Sequence, residues 1–136
     1  MSRARGVEVP RLLHVAPGCL GEAAGLLVHD GFDLTTVCVG TGGGPSQAFA
    51  EVVVDGLRAA GVRTIVVPGL AGRLDQAAEL AATIIAREVT LVLGVGGGRV
   101  IDTAKLAAAR TGSDFVSVPT TIAHDGISSP VASLSR

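Results

Sequence analysis

Apolar residues in this chain alternate between two rhythms. Short runs rich in β-branched residues recur at Leu12–Ala16, Leu34–Val39, Arg63–Val67, Thr90–Val95 and Phe115–Val118, and each reads as a strand. Between them apolar positions repeat every three or four residues, the spacing that keeps one helix face dry. Leu20, Ala23, Ala24, Leu27 and Val28 predict a helix over 19–29. Ala48, Phe49, Val52, Val53, Gly56, Leu57 and Ala60 predict one over 46–60. Leu74, Ala77, Ala78, Ala81, Ile84 and Ile85 predict one over 72–87, and Ile101, Ala104 and Ala108 one over 98–110. Gly31, Gly61 and Gly112 stand where three of these helices should stop.

The order β-α-β-α-β-α-β-α-β implies an α/β fold, a Rossmann-like parallel sheet with helices on both faces and right-handed crossovers. No spaced repeat beyond this alternation points to a solenoid. Ligands of such sheets bind beyond the carboxyl ends of the strands. The loops after residues 39, 93 and 118 all fall at that edge, and two of them are rich in glycine.

The 136 residues suffice for one domain, 1–136, that buries about two-thirds of its unfolded surface. Hydrophobic residues make up 48% of the chain, which supplies the core. With no Trp or Tyr, three Phe and a net charge of −1, the chain lacks both the stacking platforms and the basic stripe of a nucleic-acid binder. Its apolar runs are far shorter than a membrane span. Residues 1–10 carry charge and no apolar signal core. Cys19 and Cys38 have no metal-ligand spacing and read as small buried thiols of a cytoplasmic protein rather than a disulfide. His29 reads as a surface histidine near a helix C-terminus.

Chemistry concentrates in two stretches. The first is Leu91-Val-Leu-Gly-Val-Gly-Gly-Gly-Arg-Val-Ile-Asp-Thr-Ala-Lys105, an apolar strand, a glycine turn and a helix start. Glycines let a ligand approach the backbone, and the first N–H groups of a helix favour an anion, so a phosphate or pyrophosphate is expected there. Asp102 is expected in the first helical turn. The Gly40–Ser46 loop either contacts the same ligand or is a flexible connection. The second stretch, Val118-Pro-Thr-Thr-Ile-Ala-His-Asp-Gly-Ile-Ser-Ser-Pro130, is dense in hydroxyls and carries adjacent His124 and Asp125. Those two either form an Asx turn before Gly126 or face a polar substrate at the sheet edge.

Together the two motifs resemble the sn-glycerol-1-phosphate dehydrogenase family, within the superfamily of iron-type alcohol dehydrogenases, glycerol dehydrogenases and 3-dehydroquinate synthases. The glycine triplet with Asp102 is common to the superfamily. Asp102 with Lys105 is more like its dehydrogenases, and His-Asp-Gly-Ile-Ser-Ser-Pro points to the glycerol-1-phosphate branch. The resemblance implies a dehydroquinate synthase-like N-terminal domain. It implies that Gly96, Gly97, Gly98, Arg99, Val100, Ile101 and Asp102 bind NAD or NADP, with Gly98 to Asp102 on the pyrophosphate. Thr120, Thr121, Ile122 and Ala123 would line the cofactor on its nicotinamide side, Ser129 would also touch it, and Asp125 would contact substrate. The implied reaction interconverts dihydroxyacetone phosphate and sn-glycerol 1-phosphate. The family uses a divalent metal, usually zinc, on the substrate oxygen.

That metal is held by an acidic residue and two histidines of a later helical domain, and His14, His29 and His124 do not match those positions. No catalytic residue or metal ligand is therefore assigned, and the chain is expected to be a cofactor-binding portion, inactive when isolated. Val131, Ala132 and Leu134, after Pro130, are expected to lead into the missing domain and leave apolar surface open. The expected partners are a dinucleotide and a small phosphorylated polyol, with a second copy of the chain or the missing C-terminal domain beside them. Alternatives are a glycerol or other iron-type alcohol dehydrogenase, and a non-catalytic nucleotide-binding remnant. No acidic residue stands after the second strand to hold the adenosine ribose, which leaves NAD and NADP both open.

Overall fold

A computed structural model describes residues 11–14, 23–120 and 131–135. Six strands and four α-helices follow one another as β1 (Arg11–His14), α1 (Ala23–His29), β2 (Thr36–Thr41), α2 (Gln47–Ala59), β3 (Arg63–Val67), α3 (Leu74–Ala86), β4 (Leu91–Gly96), α4 (Gly98–Thr111), β5 (Asp114–Pro119) and β6 (Val131–Ser135). The strands form a single sheet in the order β1-β6-β5-β4-β2-β3. Strands β3, β2, β4 and β5 pair in parallel, as expected of a β-α-β-α chain.

One part of the sheet differs from the expectation. Residues 131–135 do not lead away from the domain. They form β6, which pairs antiparallel with both β5 and β1. Two successive antiparallel pairings restore β1 to the direction of β5, so β1 joins the sheet through β6 rather than through β2. A strand paired on both sides satisfies backbone groups that would otherwise line two open edges.

Strands β2 and β4, the inner pair of the four parallel strands, are buried along their whole length, as strands covered on both faces should be. Side-chain alternation sorts the core into two layers. Val37, Val39, Leu91, Leu93, Val95, Val116 and Val118 face α1 and α2, against Leu27, Ala50, Val53 and Leu57. Cys38, Val92 and Phe115 face the other way, against Leu80 and Ile84 of α3 and Val100, Ala104 and Ala107 of α4. Helices thus cover both faces. Burial pushes the Cys38 thiol up to about 11, which leaves it protonated and inert; Cys19 lies outside the described residues.

The helix faces turn slightly from the expected stripes. In α2 the buried set is Ala50, Val53, Val54 and Leu57, and Val52 is exposed. In α3, Ala77, Leu80 and Ile84 are buried, whereas Leu74 and Ile85 lie about 70% exposed. Alanine-rich apolar runs permit neighbouring stripes, and the sheet below selects one. Gly31, Gly61 and Gly112 do end their helices, with φ of 83°, 81° and 68°. His29 is the exposed last residue of α1.

Glycines set how closely α4 lies on the sheet. Gly40 and Gly94 are directly paired neighbours on β2 and β4. A Cβ on Gly94 would stand 3.2 Å from the Ala104 methyl and 3.2 Å from the Phe115 ring. A Cβ on Gly40 would stand 2.7 Å from Leu70 and 3.6 Å from Ala104. Small residues on both sides therefore let the helix settle onto the strands, which brings its first turn against the carboxyl ends of β2 and β4.

Candidate dinucleotide site at the carboxyl edge

Strand β4 ends at Gly96, whose φ of 151° suits glycine. A Cβ there would also press on Val100, 3.1–3.3 Å away. Gly97 is the extended N-cap of α4, with φ −79° and ψ −177° and no side-chain cap. Beside Gly97 and Gly98 there is open space within 4 Å of where a Cβ would stand. These two glycines leave a bare backbone surface at a helix start. The N–H groups of Gly98, Arg99 and Val100 have no carbonyl of their own helix to bond, because the first such bond runs from Ile101 to Gly97 (3.1 Å). No acidic residue occupies the first turn.

Asp102 corrects the sequence reading here. With α4 starting at Gly98, Asp102 is the fifth helical residue, one turn beyond the helix end. Its exposed carboxylate does not cap the helix, and the dipole's benefit has largely faded by that depth. Val100 and Ile101 turn their side chains toward the core, so they can meet a ligand only through backbone. Arg99 is exposed, with its stem against Gly72 of the β3–α3 turn. Lys105 is exposed on the next turn.

The three loops expected at this edge do meet. The backbone N–H of Thr120, just after β5, donates to the Gly96 carbonyl at 2.9 Å. Its hydroxyl is hydrogen-bonded to that of Ser46, 74 residues earlier at the N-cap of α2. The Gly40–Ser46 loop is therefore an ordered wall. It runs from buried Thr41 through Gly42, whose would-be Cβ lies 2.7 Å from Val100, into a short 3-10 turn at Gly44–Ser46. Gly43 and Gly44 adopt φ of 112° and 67° and have open space beside them.

Thr41 is fully buried, and among the described residues its hydroxyl has no hydrogen-bond partner. A dry, unpaired hydroxyl costs about 1–3 kcal/mol and is uncommon outside functional sites. Sequence reading passed over Thr41 and Ser46. The signals were faint: a hydroxyl residue inside a glycine run, and Pro45-Ser46 opening a helix. Of the other expected site residues, Thr121, Ile122, Ala123, Asp125 and Ser129 lie outside the described residues, as does His124.

A mostly parallel α/β sheet with a bare glycine turn at a helix start is the class of fold that binds phosphate groups at the carboxyl ends of its strands. Residues 14–136 match the family model described as iron-containing alcohol dehydrogenase, and the chain belongs to that family. It is 34% identical over 128 residues to glycerol-1-phosphate dehydrogenase (NAD(P)+) of Aeropyrum pernix, covering 94% of this chain and 36% of that enzyme. It is 35% identical over 138 residues to the enzyme of the same name from Methanothermobacter thermautotrophicus, covering 96% and 37%. The chain thus spans little more than a third of the length of these relatives. Among solved structures, NADH-dependent butanol dehydrogenase A of Thermotoga maritima superposes with a TM-score of 0.62 at 29% identity, over 71% of this chain and 25% of that one. Glycerol dehydrogenase of Schizosaccharomyces pombe gives 0.64 at 18% identity over 85% and 30%, a likeness of fold.

Proposed function

We propose that residues 1–136 form the dinucleotide-binding domain of an NAD(P)-dependent polyol-phosphate dehydrogenase. The proposed reaction is the interconversion of dihydroxyacetone phosphate and sn-glycerol 1-phosphate. The observation that carries the reading is the open Gly97–Gly98 turn at the uncapped start of α4. In this reading, pyrophosphate oxygens accept from the N–H groups of Gly98, Arg99 and Val100 at the positive end of the helix, an attraction of about 1 kcal/mol. Gly96 aims the turn, and Gly97 keeps it clear of side chains. Thr120, fixed to Gly96 and Ser46, is the wall on the nicotinamide side. By the same proposal Thr121, Ile122, Ala123 and Ser129 contact the cofactor, and Asp125 contacts the substrate.

When bound, a reduced dinucleotide would supply the hydride that reduces the ketone carbon, with the proton for the ketone oxygen drawn from water. This chain's own contribution is binding, orientation and exclusion of water. Among the described residues no group of three or more His, Cys, Asp or Glu could hold a metal ion. The metal that the resemblance implies is therefore assigned no residue and no step here. The glycerol-1-phosphate reading is preferred to another alcohol because the relatives of that name match nearly the whole chain at 34–35% identity. A cytoplasmic setting belongs to the same proposal; no described helix is long and apolar enough to cross a membrane.

Calorimetric titration of the purified chain with NADPH and NADH tests the proposal. Saturable binding at one site per chain is expected. No binding of either at millimolar concentration would overturn it.

A further inference from the structure

We infer that Arg99 reads the 2′-phosphate of the adenosine ribose, so that this site takes NADPH in preference to NADH. The inference rests on the dinucleotide reading above and concerns the end of the cofactor away from Thr120.

In dinucleotide folds an acidic residue at the end of the strand beside the glycine-rich one grips the ribose hydroxyls and repels a 2′-phosphate, and a nearby arginine accommodates that phosphate. Strand β4 is flanked by β5, which leads to Thr120, and on the other side by β2, in register from Val37↔Leu91 to Thr41↔Val95. Strand β2 ends in Gly40, Thr41 and Gly42, none of which carries a carboxylate, and packing crowds all three places. A Cβ on Gly40 would lie 2.7 Å from Leu70; one on Gly42 would lie 2.7 Å from Val100 and 3.1 Å from the Leu70 carbonyl. Thr41 is fully buried, so an acid there would be a buried charge without a partner. The next two residues, Gly43 and Gly44, have positive φ and open flanks. The ribose end of the site is thus roomy and uncharged.

Arg99 supplies the missing charge. It is the second residue of α4, where the helix dipole disfavours a cation. Among the described residues it has no ion pair. Its neighbour Arg73 is already neutralised by Asp75, through contacts of 2.7 and 3.0 Å. The Arg99 stem is laid over Gly72, with Cβ, Cγ and Cδ 3.2, 3.3 and 3.6 Å from where a Cβ of Gly72 would be. Gly72 belongs to the β3–α3 turn, and β3 flanks β2 on the side away from β4. The stem therefore lies beside the β3–α3 turn, on the β2–β3 side of the helix start. In the reading above, that is the end of the cofactor away from Thr120, so an unpaired arginine there is in reach of an anion more distant than the pyrophosphate.

The test compares 2′-phospho-ADP-ribose with ADP-ribose, by calorimetry on the 136-residue chain and on Arg99→Ala and Arg99→Lys. The wild-type chain should bind the phosphorylated ligand at least about tenfold more tightly, the worth of one charge-assisted contact. Arg99→Ala should erase most of that ratio, and Arg99→Lys should restore part of it. Melting curves matching wild type confirm that the variants fold, as expected of an exposed side chain. If Arg99→Ala weakens both ligands by the same factor, the arginine serves the pyrophosphate and the inference is overturned while the dinucleotide reading stands. Equal wild-type affinity for the two ligands overturns it in the same way. If neither ligand binds, the dinucleotide reading fails and takes this inference with it.

Discussion

The two edges of the sheet are built from similar residues to opposite ends. At the amino edge Thr35, Thr90, Thr111 and the Asp33 carboxylate all find partners. The Thr90 hydroxyl accepts from the Thr36 N–H at 3.2 Å and donates to the carbonyls of Asp33 and Thr36, 2.8 and 3.0 Å away. The Asp33 carboxylate accepts from the N–H and hydroxyl of Thr35 at 2.9 and 2.6 Å. Thr111 bonds to the Ala107 carbonyl and to Ser113. At the carboxyl edge, by contrast, Thr41 keeps an unpartnered hydroxyl and Gly97 and Gly98 stand bare. There the start of α4 has no side-chain cap. A satisfied edge needs nothing more to be stable. An unsatisfied edge held in place by a tight core is prepared for a ligand.

The comparison breaks first if the core beneath α4 does not hold the carboxyl edge in place. Gly94→Val would drive two methyls into Ala104 and Phe115 and should cost about 3 kcal/mol of stability, the upper range for overpacking. Urea denaturation measures it; a loss under 1 kcal/mol would mean that α4 is free to lift. Next, Thr90→Val should cost about 1–2 kcal/mol, because it takes the hydroxyl partner from the Thr36 N–H and the Asp33 carbonyl, while the Thr36 carbonyl keeps the Thr90 N–H at 2.8 Å. Dinucleotide affinity should stay unchanged, since Thr90 sits at the other edge. A change in affinity would show that the edges are coupled.

The smallest effect concerns acid. Hydrogen bonds from Thr35, its hydroxyl first and its backbone N–H second, hold the Asp33 carboxyl below its ordinary value of 3.8. A carboxylate lowered in the folded state stabilises the fold above its unfolded pKa, and that contribution fades as pH falls through the folded value. Asp33→Asn should therefore flatten the melting temperature's dependence on pH below about pH 4 and leave it nearly unaltered at pH 7. A variant that melts with the wild-type acid profile would remove Asp33 from the account of the amino edge.

Much of this was legible in the sequence, for reasons that differ by element. The central strands announce themselves because burial on both faces leaves only apolar residues, as in Leu91-Val-Leu-Gly-Val. The glycine turn is legible because few other residues tolerate its conformation and its close approaches. Strand β6 was not, because Val-Ala-Ser-Leu-Ser is short and weakly patterned, and its pairing with β1 joins opposite ends of the chain. The Ser46–Thr120 contact was not, because no periodicity relates residues 74 apart. The start of α4 at Gly98 was legible; counted from there, Asp102 is the fifth residue and so lies past the first turn. Arg99 was named as a cofactor residue, but only its contact with Gly72 gives its stem a direction.

The central claim is that the Gly97–Gly98 turn is kept bare for a dinucleotide and not for the fold. Gly97 has an extended backbone that any residue adopts, and a Cβ there would meet no atom within 4 Å. Gly97→Val therefore separates the two roles in one experiment, with melting temperature and NADPH affinity measured on the same sample. The account predicts a melting temperature lowered by no more than a few degrees, the cost of a poorer N-cap, and at least a hundredfold loss of affinity, about 2.7 kcal/mol, as side-chain bulk bars the pyrophosphate. A variant that binds NADPH as tightly as the wild-type chain, or one that unfolds, would contradict it.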